Sequence, residues 1–396
     1  MTVVTSALSE IAEVRLGRQR SPKNHSGPNN RKYLRAANVG WNGLILDDVK
    51  VMNFTDAEME VFRLQRGDLL LSEASGSPTE VGKPAIWMGE IDDCAFQNTL
   101  LRVRPGPTVD PRYLLQYLHQ QASSGAFARG SRGVGIHHLG REALARWPVP
   151  LPAIDEQRRI AAILDHADAL RTKRREIMND LTSLERSIYW SMFEGREWPQ
   201  VNLTQVCSTP DDVRCGPFGT QLQKSEVVHE GVPLWGIKNV NSGFKLPAFE
   251  FLEDATAERL DQYSIIPGDI VMTRKGTIGN CAVYPNTRPS GIMHSDLLRV
   301  RPDPTRARPT FVSHQLHHDP KVAAQISTMS SGAIMPGINV GKLKGLQVID
   351  PPLDIQLAFE RRIKSLETLR VQSVDCLDRL DNLFASLQSR AFSGQL

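Results

Sequence analysis

The sequence predicts an α+β protein of two tandem domains, each with a curled β-sheet, separated by two long helices that form an antiparallel coiled coil. Three observations predict it. First, the chain of 396 residues repeats itself once: Leu100-Leu-Arg-Val-Arg-Pro-Gly-Pro107 returns as Leu297-Leu-Arg-Val-Arg-Pro-Asp-Pro304, at a period of about 200 residues that is far too long for a solenoid. Second, each half opens on short β-like runs punctuated by Gly, Pro and Asn. Third, each half closes on a long stretch, 155–193 and 354–392, with no Gly or Pro and with apolar residues on an alternating 3-4 spacing.

Taken in chain order, the repeat covers every part of the domain. Asn38-Val39 returns as Asn239-Val240, Gly67-Asp68-Leu-Leu-Leu-Ser72 as Gly268-Asp269-Ile-Val-Met-Thr273, and Pro152-Ala-Ile-Asp-Glu-Gln157 as Pro351-Pro-Leu-Asp-Ile-Gln356. Gly67–Leu71 and Thr99–Val103 read as strands and Pro111–Gln121 as a helix. The divisions that follow are a domain over 1–143, a helical spacer over 144–196, a second domain over 197–343 and a second spacer over 344–396.

At ~1.5 Å per residue each long helix would extend roughly 58 Å. The first seam reads Ile160, Ile163, Ala167, Leu170, Ile177, Leu181, Leu184 and Ile188; the second reads Phe359, Leu366, Leu369, Cys376, Leu380, Leu383 and Leu387. Arg174 interrupts the first, and Arg362 and Ser373 the second. A matched heptad seam in each half points to the two helices packing on each other. Helix one carries the chain from the first domain to the second, so helix two returns it. That sets Ile160 beside Leu387 and Leu184 beside Ile363, and brings Leu396 back to the first domain.

Composition removes several classes of function. The hydrophobic fraction of 40% supports more than one core. No apolar run approaches the roughly 18 residues needed to cross a bilayer, and Met1 to Glu10 has no secretory pattern. Five cysteines, Cys94, Cys207, Cys215, Cys281 and Cys376, are odd in number, far apart and without CxxC spacing, which fits reduced, buried thiols in a cytoplasmic protein. The net formal charge of +3 does not announce nucleic acid by itself, so any such signal is local.

A tandem of domain and long helix, with each helix announced by Val149-Pro-Leu-Pro-Ala-Ile-Asp-Glu-Gln157 or Val348-Ile-Asp-Pro-Pro-Leu-Asp-Ile-Gln356, resembles the specificity (S) subunit of Type I restriction-modification systems over the whole chain. Trp198-Pro-Gln-Val-Asn-Leu203, opening the second domain, resembles a segment of the same family. Ile355 stands where the first copy has Glu156. The resemblance implies that the domains are target-recognition domains reading two halves of a split site on double-stranded DNA, and that the helices space them and dock two methyltransferase (M) subunits. Nuclease/translocase (R) subunits are a further partner that the sequence leaves open. No cofactor is expected on this chain; S-adenosylmethionine is expected on the M subunits. Base edges are read in the grooves a few at a time, so a rare target requires two readers.

Residues able to touch DNA are sought in acid-poor segments. Between Glu13 and Asp47 there is no carboxylate, while Arg15, Arg18, Arg20, Lys23, Arg31, Lys32 and Arg35 supply cations with Asn38 and other Asn residues among them. Arg and Lys anchor phosphates or pair with guanine, and Asn pairs with adenine. In Arg129-Gly-Ser-Arg-Gly-Val-Gly135 a flexible backbone permits close approach to phosphate, with Arg129 and Arg132 as donors. The second domain offers Lys224, Lys238, Asn239, Arg274 and Lys275, and the turn at 274–276 replaces Glu73, Ala74 and Ser75 of the first copy. The competing readings are a solvated basic loop for the first group, a plain hairpin turn for 129–135, and drift for the divergence in the second domain.

Enzyme-like patterns do not hold up. Asp350-Pro-Pro-Leu353 lacks the aromatic of an amino-methyltransferase loop, and no methyl-donor loop occurs. Pro302-Asp303 with Asp319-Pro-Lys321 imitates a nuclease triad only loosely. His137-His138 and His314, His317 and His318 have no Cys or acidic partner at metal spacing, so no metal site is expected. Two alternatives stand beside the DNA-specificity reading: the specificity arm of a different methyltransferase assembly, and a coiled-coil scaffold that binds no DNA.

Overall fold

The structure, a computed structural model, describes residues 4–22, 25–129, 135–276, 278–330 and 337–396. The chain forms two compact units, Met1–Arg175 with Asp375–Leu396, and Glu176–Val374. Each unit therefore holds one half of each long helix. Among the described residues no helix is long and apolar enough to cross a membrane.

Within the first unit the central antiparallel sheet runs Ala12–Leu16, Leu100–Pro105, Leu69–Ser72, Pro84–Ile86. The second unit repeats that order as Val213–Cys215, Leu297–Val300, Ile270–Thr273, Cys281–Val283. The unbroken apolar runs Leu69–Leu71 and Ile270–Met272 have a direct cause: both faces of the sheet are covered. Leu69, Leu71, Leu101 and Val103 enter a core with the Pro111–Ser123 helix and the first long helix, whereas Leu70 and Leu100 enter a second core with Trp87 and Phe96. In the second unit Ile270, Met272, Leu298 and Val300 face one core and Val271 and Leu297 the other. A strand buried on both sides carries no polar alternation.

A second sheet accompanies each central one. Asn30–Leu34 pairs in parallel with Ala95–Phe96 and antiparallel with Lys50–Asn53, and Val232–Trp235 pairs in parallel with Gly291–Met293 and antiparallel with Glu250–Leu252. The strands thus divide among several small sheets rather than one curled sheet, because Gly, Pro and polar turns interrupt them every few residues.

The repeated motifs turn out to be the joints of this framework. Asp68 accepts two hydrogen bonds from Arg104 at 2.7 and 2.8 Å, and Asp269 two from Arg301 at the same distances. Gly67 and Gly268, both at φ +93, supply the left-handed turn just before these carboxylates. Buried Gln157 accepts from the amide of Asp110 (2.8 Å) and donates to the carbonyls of Thr108 and Pro152. Gln356 does the same with Arg308, Arg306 and Pro351. The Glu156-to-Ile355 difference leaves this joint intact: Glu156 bonds Arg159 on the surface, and Ile355 packs against its core.

The long helices span Ile154–Phe193 and Leu353–Phe392. In each unit their halves run antiparallel. In the first, Arg171 Nε donates to Asp381 (2.6 Å), Arg171 lies over the Phe384 ring, and Arg159 donates to the Leu396 carbonyl (2.8 Å). In the second, Phe193 and Tyr189 meet Phe359 with ring centroids 5.4 and 6.0 Å apart. The seam differs in detail from the apolar pattern. Ile160, Phe359 and Ile363 are buried, and Ile163, Leu181, Ile188, Leu366, Leu380 and Leu387 half-buried. Leu170, Ile177, Leu184, Leu369 and Leu383 instead face outward, between 41 and 51% exposed. Gln157, Leu164, Ala167, Arg171 and Glu185 occupy the inward stripe of the first helix, so polar residues hold seam positions that an apolar count assigns to their neighbours.

Candidate nucleic-acid interface

Three segments converge at one end of the central sheet in each unit. In the first, the amide of Gly17 bonds the Leu100 carbonyl, that of Asn98 the Arg18 carbonyl, and that of Glu73 the Thr99 carbonyl, at 2.9 to 3.0 Å. In the second, Gly216 bonds Leu297 and Arg274 bonds Asp296 in the same way. Glycine is required at 17 and 216, because a Cβ there would lie 2.2 Å from the carbonyl oxygen of Gln97 or His294. Around this shared backbone the side chains diverge. Gln97-Asn98-Thr99 in the first copy corresponds to His294-Ser295-Asp296 in the second, and Glu73 to Arg274.

The second unit gathers its predicted residues around that triplet. Lys224 lines a cleft of about 340 Å³ with His294 and Ser295, and Lys238 lines one of about 470 Å³ with Phe249, His294 and Asp296. Lys275 Nζ lies 2.8 Å from Asp296, and the Arg274 guanidinium stacks over Phe218 at 4.6 Å from the ring centroid. Asn239, however, is 2% exposed. Its carboxamide accepts from the Gly236 amide and donates to the Pro247 carbonyl (2.8 Å), so it holds the turn closed.

The first unit disperses its cations. Arg18 is buried, bonded to Glu58 and to the Asn53 carbonyl at 2.7 Å, and stacked on Phe54. Arg15 pairs with Glu13 and Arg35 with Asp48, while Arg31 lies 3.9 Å from both Asp56 and Asp93. Burial works to raise the Glu13 carboxyl, but the bonded Arg15 and nearby Arg102 and Arg104 outweigh it and hold it below the ordinary carboxylate range. Asn38 is the counterpart of Asn239 and closes the same turn, donating to the Ile45 carbonyl at 2.8 Å. The acid-free run in sequence is therefore not acid-free in space: carboxylates arrive from residues 48 to 93. Arg20, Lys32 and Arg129 remain exposed. Lys23 and Arg132 lie outside the described residues. His137–His138 pairs with Ala74–Ser75, next to Glu73 at that end of the sheet.

Two signals in the sequence pass unnoticed without the fold. Glu13-Val-Arg-Leu-Gly17 matches Asp212-Val-Arg-Cys-Gly216 and marks the strand that leads into the variable loop. The tripeptide just before each Leu-Leu-Arg-Val-Arg differs in all three positions, directly against a pentapeptide that is identical in both copies. The cysteines conform to expectation: four are buried and Cys376 is half-buried, and burial pushes the Cys94, Cys207 and Cys281 thiols up to about 12.

Comparison with known proteins agrees with this architecture. Residues 2–182 match the family model described as the Type I restriction modification DNA specificity domain. The putative type I restriction enzyme MjaX specificity subunit of Methanocaldococcus jannaschii is 22% identical over 332 residues, covering 81% of this chain and 76% of that protein. The EcoKI specificity subunit of Escherichia coli K12 is 22% identical over 356 residues, covering 83% and 75%. Among solved structures, a chain from a study of complex assembly and conformational transition of the type I R-M system covers 100% of this chain and 98% of its own, with TM-score 0.65 and 16% identity. A Type-I S subunit from M. genitalium covers 98% and 96%, with TM-score 0.54 and 12% identity. Over residues 2–182 the chain thus carries a match to the Type I restriction modification DNA specificity domain, and its second unit builds the same framework again.

Proposed function

We propose that the chain is the non-catalytic specificity subunit of a Type I restriction-modification complex and reads a bipartite DNA target, one half with each domain. The observation that carries this is the pairing of one framework with two sets of loop tips. Gln97-Asn98-Thr99 and His294-Ser295-Asp296 are held by the same backbone bonds yet present different donors and acceptors, as two readers of different base sequences require. Arg20, Lys32 and Arg129 in the first domain, and Lys224, Lys238, Arg274 and Lys275 in the second, supply phosphate anchors and readout around them. Asn38, Asn239 and Arg18 support the loops from within.

Docking of M subunits falls to the outward leucines of the long helices, Leu170 and Leu383 in the first unit and Ile177, Leu184 and Leu369 in the second, since exposed apolar residues recurring on a helix mark partner contacts. The M subunits carry S-adenosylmethionine; R subunits join them where restriction accompanies methylation; the assembly works in the cytoplasm. Mapping methylated adenines in DNA from cells expressing the chain with its M partner tests the reading. A split site with an unspecified gap is expected. A continuous site, or methylation without sequence preference, overturns it, and the lack of any salt-dependent gel shift by the purified complex would favour the scaffold that binds no DNA.

A further inference from the structure

We propose that Glu185, His314 and His318 form a binding site for a divalent transition metal, with Zn²⁺ as the probe. His314 and His318 stand four residues apart on the Pro309–His318 helix, so both imidazoles leave from one face. Glu185 comes from the second half of the first long helix, in the same unit. One ligand atom from each residue lies within 4.8 Å of the others. Ligands around a single Zn²⁺ sit about 3.3 Å apart, which side-chain rotation can reach.

Hydrogen bonding shows why a cation belongs there. His314 Nδ1 is 2.7 Å from the Thr310 carbonyl oxygen, which can only accept, so Nδ1 carries the hydrogen and donates it. Nε2 then faces Glu185 Oε1 at 2.6 Å. In the neutral ring these are two acceptors pointing at each other, so the pair requires a bridging proton or, with the two side chains drawn apart, a metal ion. A ring nitrogen bonded to a backbone carbonyl while the other faces outward is the usual support of a metal-ligating histidine. A proton would satisfy the His314–Glu185 pair alone; it gives no reason for His318 to turn a third ligand toward them.

The duplication supplies an independent comparison. The counterparts in the first unit are Gln116 for His314, Gln120 for His318 and Phe384 for Glu185. Gln116 donates to Asp165 at 2.9 Å and Phe384 is buried in the core. All three positions differ together, from a set that binds no metal to the two-imidazole, one-carboxylate set that suits zinc, nickel or cobalt. Bound there, the ion ties the Pro309–His318 helix of the second domain to the first long helix.

The test uses the full chain, stripped by a chelator and titrated with Zn²⁺ and Co²⁺. One equivalent is expected to bind and to raise the melting temperature. The Co²⁺ form is expected to show visible d–d absorption without a thiolate charge-transfer band, which separates this site from the cysteines. Glu185→Gln, and His318→Gln, which keeps the His314–Glu185 pair, each weaken binding at least ~10-fold, since even losing a ligand's supporting partner typically costs that much. Binding in His318→Gln equal to that of the parent chain, or a cobalt spectrum dominated by thiolate, overturns the site and leaves the pair held by a proton.

Discussion

Single residues in this chain divide into those that hold loops and those that loops present. Asp68 and Asp269 belong to the first kind, because each combines a bidentate arginine with a backbone amide, from Gln65 and Ile266 respectively. Asp68→Ala leaves Arg104 without its carboxylate and is expected to cost about 3 kcal/mol, whereas Asp47→Ala on the exposed surface stays within about 0.5 kcal/mol; urea denaturation compares them. His119 adds a pH dependence. Burial lowers it below its ordinary 6.5, ahead of the opposing pull of Asp168, so the unfolded chain takes up its proton at a higher pH than the folded one. This contribution to stability is complete above pH 6.5 and is lost as pH falls from there toward the folded value. His119→Phe is expected to flatten the slope of the first unit's stability over that interval. Lys224 belongs to the presenting kind: Lys224→Ala should weaken DNA binding across sequences and reduce the salt slope by about one, measured by gel shift at several salt concentrations.

Elements show how far a periodic pattern reaches. The long helices are readable to within a residue, because absence of Gly and Pro and a 3-4 spacing leave no alternative to helix. Which stripe turns inward is less readable. Arg171 is drawn into the seam by Asp381 and the Phe384 ring, and Glu185 by His314, so polar residues compete for the inner face and push Leu170, Ile177 and Leu184 outward. Substitution separates the two stripes. Leu164→Ala, at a fully buried position, is expected to cost about 2–5 kcal/mol. Leu170→Lys and Leu383→Lys together should leave the melting temperature within a few degrees and weaken M-subunit docking, read by pull-down with purified M.

At the scale of the whole molecule, duplication is the organising fact. One framework is encoded twice, and the same joints recur: a carboxylate–arginine pair after a left-handed glycine, a buried glutamine at each long-helix start, and a glycine where two loops touch. Function then resides in what differs. Exchanging residues 1–143 for the equivalent segment of a related subunit is expected to change one half of the methylated site and leave the other, since each domain carries its own loops on its own framework. Methylome mapping of the hybrid decides it, and a change in both halves counts against separate reading.

The sequence by itself determined the α+β class, the duplication, the extent of both long helices and the membership of the strands that repeat, because local periodicity and recurring motifs are encoded in neighbouring residues. Only the tertiary structure decided which cations are available. Arg18 and Arg35 look free when only their neighbours in sequence are counted, and the fold brings them Glu58 from a helix 40 residues on and Asp48 from a turn 13 residues on. It likewise brought Glu185 to His314 across 129 residues, a juxtaposition that no spacing rule contains. Charges act through distance in space and not along the chain, so a basic run or a histidine pair acquires its meaning only from the partners that packing places beside it.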